Sequence, residues 1–200
     1  MFYRPADRPP SLRHNPLKAI VSPRPIAWIS TLDEQGRANL APYSFFNALL
    51  DAPPMVMFAS NGMKPGGERK DSAANARATG EFCVNIVSWA LKDAMNVSSG
   101  HLPSGCDEFE AAGLEKAPCE TIRPPRVAAA PASLECRVWQ IVALPGGSGQ
   151  LVIGEVNGIH LDESFLHDGI FDVTLYQPLA RLGYRDYAVI RDLISLDRPG

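Results

Sequence analysis

Between Asn39 and Asn47 the chain reads Asn39-Leu40-Ala41-Pro42-Tyr43-Ser44-Phe45-Phe46-Asn47, setting carboxamides and hydroxyls beside aromatic rings. Rings offer apolar faces, while Ser44, Asn47 and the backbone around the small Ala41 offer donors and acceptors. That mixture suits a flat heteroaromatic ligand with polar edges. Just upstream, Pro23-Arg24-Pro25-Ile26-Ala27-Trp28-Ile29-Ser30-Thr31 is apolar on both pleat faces and supplies Trp28 and Ser30 as neighbours. Trp28 reads equally as plain core, because an aromatic ring in a buried strand usually packs.

Three further groups carry chemical potential. Lys70-Asp71-Ser72 opens a helical stretch, and a helix start with a cation and a hydroxyl is suited to an anion. Ser60 and Arg69 could join it. The plainer alternative is a helix cap beside a solvated lysine. Arg181 and Tyr184, with Arg185 and Tyr187, could line an open ligand face or a subunit contact, since arginine binds phosphate bidentately and stacks on rings; surface ion pairing is the alternative. His160 has no second histidine or carboxylate at ligand spacing along the chain, so no metal site is expected, and a structural role is favoured over proton delivery. No acid–base dyad is evident, which leaves any catalytic residue unknown. No Gly-x-Gly-x-x-Gly turn joins a strand to a helix, so a separate dinucleotide fold is not expected.

These residues must be placed by strands. Strands are expected at about Ile26–Leu32, Ala38–Ser44, Met55–Ser60, Phe82–Val87, Leu134–Leu144 and Leu151–Leu161, with hairpin turns at Asp33-Glu34-Gln35-Gly36 and Pro145-Gly146-Gly147-Ser148-Gly149. Helices are expected from about Asp71 to Thr79, capped by Asp71 or Ser72 and ended by Gly80, and from Trp89 to Val97, with a short turn at Glu108 to Ala112. Residues 98–131 form a long irregular excursion rich in glycine and proline, among them Pro103 and Gly105. Residues 1–17 form a proline-rich basic arm, and a helix-like tail follows Tyr187. Six strands and few helices indicate a mainly β, six-stranded antiparallel barrel, in one domain over residues 1–200.

Composition bounds the partners. Hydrophobic residues make up 46% of 200, enough for one sizeable core, and a net charge of -3 supplies no positive field for nucleic acid. The N-terminus lacks the apolar core of a secretion signal and no run reaches the length of a membrane helix, so a cytoplasmic protein is expected. Cys83, Cys106, Cys119 and Cys136 lack Cys-x-x-Cys spacing and read as free, mostly structural thiols.

From about Asn15 to Tyr187 the chain resembles the flavin-reductase-like family of FMN-binding split barrels. The resemblance rests on the Pro23–Thr31 and Asn39–Asn47 stretches, Lys70-Asp71-Ser72, Thr79-Gly80-Glu81-Phe82-Cys83-Val84-Asn85 and Asp107-Glu108-Phe109-Glu110-Ala111-Ala112-Gly113. Leu134-Glu135-Cys136, Gly154-Glu155-Val156-Asn157-Gly158-Ile159-His160 and Arg181-Leu182-Gly183-Tyr184 continue it. It implies a split-barrel homodimer holding FMN, with FAD as an alternative, near the subunit interface. The ring would lie among Trp28, Ser30, Ala41, Pro42, Tyr43, Ser44, Phe45 and Asn47, and the phosphate by Ser60, Lys70, Asp71 and Ser72. Ser72 stands where the family usually has Thr, and Phe and Tyr alternate at position 43. The implied activity is an NAD(P)H-dependent flavin reductase, with NADH or NADPH as a transient donor, that feeds a partner monooxygenase. The alternatives are a flavoredoxin-like electron-transfer protein that does not use nicotinamide directly, and a flavin-binding protein without turnover. A pyridoxamine-phosphate oxidase-like enzyme would share the architecture, but the Pro23–Thr31 opening fits the flavin-reductase branch better.

Overall fold

Alternating and continuous apolar runs fold into strands that pair in chain order at first. The computed structural model describes residues 1–63, 67, 69–100 and 106–200; Pro103 and Gly105 of the excursion lie outside them. Strands β1 (Ala27–Leu32) and β2 (Ala38–Tyr43) form an antiparallel hairpin whose turn is held by the Asp33 carboxylate, which accepts from the Gln35 and Arg37 amides. Strands β3 (Phe46–Asp51) and β4 (Pro54–Ser60) form a second hairpin. Helix α1 (Asp71–Thr79) ends at Gly80, whose φ of 74° is the left-handed geometry glycine adopts without penalty. Strand β5 (Glu81–Ile86) follows, then α2 (Lys92–Ser98), α3 (Glu108–Ala111) and the long hairpin of β6 (Ala132–Ala143) and β7 (Gln150–Leu161).

The seven strands form one sheet in the order β2-β1-β5-β6-β7-β4-β3, antiparallel throughout. Strands β2 and β3 are its two edges, yet only Ser44 and Phe45 separate them in sequence. A link that short spans about 10 Å at most, so the sheet has to roll until its edges approach. The roll is a split barrel: Ser44 and Phe45 bridge its two edges as a seam, and the Phe45 carbonyl extends the β3–β4 ladder by accepting from the Ala59 amide at 2.8 Å. The free edge of β2 is covered in part by Glu108 of α3, whose carboxylate accepts from the Leu40 amide at 3.1 Å.

Inside the roll lie Ala27, Ile29, Tyr43, Val56, Phe58, Phe82, Val84, Cys136 and Val152, with Ala73 and Ala76 of α1 packed among them. Outside it, Ile26, Trp28, Leu40, Val87, Met95, Phe109 and Val127 form a second core beneath α2 and α3. A three-stranded sheet joins Arg24–Pro25 to β8 (Leu179–Arg181) and β9 (Tyr187–Val189).

The mainly β, antiparallel expectation holds, with three corrections. The sheet has seven strands rather than six, because β3 went unread. Residues after Val189 carry no helix; Leu193, Ile194 and Leu196 are exposed coil with no surface to bury against. The start of α1 is where expected, but the N-cap is Lys70, whose side chain makes no cap hydrogen bond, and the Ser72 hydroxyl turns inward instead.

Candidate functional site

The seam is where the anticipated residues gather. Tyr43 points into the barrel, its ring 5.1 Å from Phe58, which in turn meets Phe82 at 5.3 Å. Burial pushes the Tyr43 phenol above its ordinary range, against hydrogen bonds with the Ser72 and Ser60 hydroxyls that pull it down. Asn39 donates to the Ser72 hydroxyl at 2.9 Å, and the Lys70 ammonium lies 5.9 Å from the centre of the Tyr43 ring. Tyr43, Ser60, Lys70 and Ser72 are thus brought together at the start of α1, with the Asp71 charge felt at the phenol. Ser60 and Ser72 are buried, so their hydroxyls form an inner layer and Lys70 the outer one.

On the other face of the same segment, Pro42 and Ser44 line a cleft of about 130 Å³ with Ile26, Met95, Ser99, Arg181 and Tyr187. Arg181 is fixed there: its guanidinium donates to the Tyr184 carbonyl at 2.6 Å and to the Tyr187 hydroxyl, and lies 4.4 Å from the centre of the Tyr187 ring. Directly across the ladder is Arg24. Its side chain is buried, donating to the carbonyls of Lys18 at 2.5 Å, Leu182 at 2.7 Å and Val21, and it lies 5.8 Å from the Phe45 ring. Its Nε has no partner in the structure. Burial, and then the charge of Arg181, lower its pKa. Arg181 therefore brings a guanidinium to the cleft, and among the described residues no ion pair joins it to a carboxylate, which favours an anionic visitor.

Other anticipated residues fall elsewhere. Trp28 and Ser30 are fully buried on the outer side of β1: the indole donates to the Ser98 hydroxyl at 2.8 Å, and Ser30 donates to the Pro125 carbonyl at 2.6 Å. Ala41 and Phe45 are half-buried at the seam, and Asn47 is exposed on β3, accepting from the Ala48 amide. The Tyr184 side chain turns out to solvent against His14 at 5.4 Å, while Arg185 is exposed. His160, without a partner by spacing, finds one by folding: its Nε2 lies 2.5 Å from the Glu135 carboxylate of the neighbouring strand. Sequence reasoning passed over Arg24, Met95 and Ser99. Arg24 stood inside the quoted proline-rich motif and its charge in an apolar run was the available signal; Met95 and Ser99 carried none.

A family model described as "Flavin reductase like domain" matches residues 21–180. An uncharacterized protein of Deinococcus radiodurans is 42% identical over 198 residues, covering 95% of this chain and 86% of that one. Among solved structures, nitrilotriacetate monooxygenase component B from Bacillus cereus superposes with a TM-score of 0.89 at 28% identity, covering 98% of each chain. The 2-nitrobenzoate 2-nitroreductase NbaA of Pseudomonas fluorescens superposes with a TM-score of 0.86 at 27% identity, over 100% of this chain and 96% of that one. Among the described residues no helix is long and apolar enough to cross a membrane.

Proposed function

We propose a function from one premise: this chain belongs to the flavin reductase like domain family. It binds a flavin, FMN rather than FAD, takes reducing equivalents from NADH or NADPH, and passes them to free flavin for a partner monooxygenase. The observation that carries this reading is the seam, where a barrel-end anion site and a cleft bearing Arg181 flank the same three residues, Pro42–Ser44.

The residues present suit such a group. The Arg181 guanidinium and the hydroxyls of Ser44 and Ser99 form a donor-rich wall beside apolar Ile26 and Met95. Lys70 and the N-terminal end of α1, with its positive dipole, supply a phosphate seat. Ser44 and the seam backbone would meet the polar edge of the ring, and Arg181 would receive the anionic end of a visiting donor. When bound, the flavin accepts hydride and releases electrons; the protein binds and orients rather than moving protons. That the first solved structure is named as a monooxygenase component supports the partner assignment.

A homodimer completes the picture. Large apolar side chains are left exposed on β3 and the far end of β7, Leu49, Leu50, Ile159 and Leu161, together with Trp139. Exposed apolar side chains of that size are what a subunit surface would bury. A cytoplasmic setting agrees with cysteines that are all free.

The alternative is a flavoredoxin-like protein that exchanges electrons without seating a nicotinamide. The test is an anaerobic titration followed by absorption. Flavin that binds and bleaches with NADH or NADPH, and steady-state nicotinamide oxidation that rises with added FMN, support the reductase. Bound flavin that stays oxidised supports the electron-transfer reading, and absence of flavin binding overturns both.

A further inference from the structure

We propose that Cys119, Glu135 and His160 form a binding site for a divalent transition-metal ion of the zinc type, apart from the seam. One ligand atom from each of the three lies within 4.8 Å of the other two. They come from separate stretches: Cys119 from the excursion, Glu135 from β6 and His160 from β7. A thiolate, an imidazole and a carboxylate are the donors zinc takes, and three protein ligands leave one position open.

Local construction sets the carboxylate before any metal arrives. Glu135 is fully buried, and its Oε2 accepts from the Thr121 amide and hydroxyl, each at 2.6 Å, while Oε1 accepts from the Glu120 amide at 2.7 Å. Those amides follow Cys119 directly, so one turn both presents the thiol and orients the carboxylate, as outer-sphere partners of metal ligands do. Gly158 pairs with Glu135 in the ladder, and a Cβ there would sit 3.2 Å from the Glu135 carboxyl carbon. Glycine thus leaves the carboxylate its room. Being ionised, Glu135 can only accept, so His160 Nε2 carries the hydrogen between them.

A metal takes the place of that hydrogen. His160 shifts to the tautomer with its proton on Nδ1, and Cys119 releases its thiol proton to solvent, so loading is accompanied by proton release. Cys119 and His160 are half-buried rather than sealed, which leaves a route for the ion. Loading would pin the excursion to the sheet.

The test uses the whole chain, stripped by chelator and dialysed against buffered zinc, with metal counted by mass spectrometry, flavin present and absent. About one zinc per chain is expected for the parent and for the Cys106→Ser control, and at least about tenfold weaker binding in Cys119→Ser and His160→Gln. Cobalt in place of zinc should give a thiolate charge-transfer band that Cys119→Ser abolishes. The proposal is overturned if the parent takes up no zinc, if both ligand variants bind as the parent does, or if Cys106→Ser alone removes the metal. Should one ligand variant fail to fold, the other decides.

Discussion

Replacing Gly154 by Ala tests how tightly the barrel interior is tied to the seam. A Cβ at that position would lie 2.5 and 2.6 Å from Phe82 Cζ and Cε1, and 3.2 Å from Cys136 Cβ. Carbon atoms pack at about 3.5 to 4.0 Å, so the Phe82 ring has to retreat by about 1 Å. It is fully buried with its edge against Phe58, and Phe58 packs on Tyr43. Overpacking of a closed core costs about 1–3 kcal/mol, and a rigid ring with no free end belongs near the top of that range. At about 2–4 °C per kcal/mol for a chain of this size, melting should fall by about 6–12 °C. Gly154 is not among the positive-φ glycines, so propensity alone would make alanine stabilising by about 0.5–1 kcal/mol, the opposite sign. Urea unfolding of Gly154→Ala, Phe82→Leu and the double variant decides between them. A smaller residue at 82 should relieve the clash, giving a coupling of about 1.5 kcal/mol or more. Gly154→Ala as stable as the parent, or strictly additive variants, would refute the reasoning.

The remaining expectations concern single contacts. Lys70→Ala should weaken FMN about five- to tenfold while leaving riboflavin nearly unchanged, because only FMN carries the phosphate; equal losses in fluorescence titrations would remove Lys70 from the phosphate seat. Trp28→Phe should cost about 1 kcal/mol through the lost bond to Ser98 and leave the spectrum of bound flavin as it was; a shifted spectrum would return Trp28 to the ring pocket. Arg181→Ala should raise the KM for the nicotinamide donor with little change in flavin affinity, and the reverse pattern would move Arg181 into the flavin site. Glu135→Gln, measured in chelator so that metal does not enter, should lose about 2–3 kcal/mol, since a side-chain NH2 would face either the Glu120 or the Thr121 donors; a change under about 0.5 kcal/mol would show that the turn is held by other means.

Much of the architecture was legible because local signals and burial agreed. Ile29 and Val84 sit in apolar runs ended by turn residues, and both lie in the barrel interior. Strand β3 escaped because Ala48, Leu49 and Leu50 are consecutive apolar residues on an exposed edge, where no alternation between core and solvent is imposed. The tail was misread for the converse reason: Ile190, Leu193, Ile194 and Leu196 have helical spacing, but within one subunit nothing receives that face. At the site, the proximity of Ser60, Lys70 and Ser72 was expected from motif and helix start, whereas Tyr43, expected beside the ring, joins them by pointing into the barrel. The pairing of His160 with Glu135 could not be read, since 25 residues and a strand register separate them.

The order in which the sheet is assembled differs from the order in which it is made. Both edge hairpins, β1–β2 and β3–β4, have left the ribosome by Ser60, whereas the strands that lie between them are complete only at Leu161. Those hundred or so residues take about 5–20 s to synthesise at 5–20 residues per second. Until β5 is made and pairs with β1, the nascent chain carries two apolar hairpins tethered by Ser44 and Phe45 with no centre to join, and the far hairpin waits for β7. Strand edges left unpaired in this way are aggregation-prone, more so than in a barrel whose neighbours emerge in sequence.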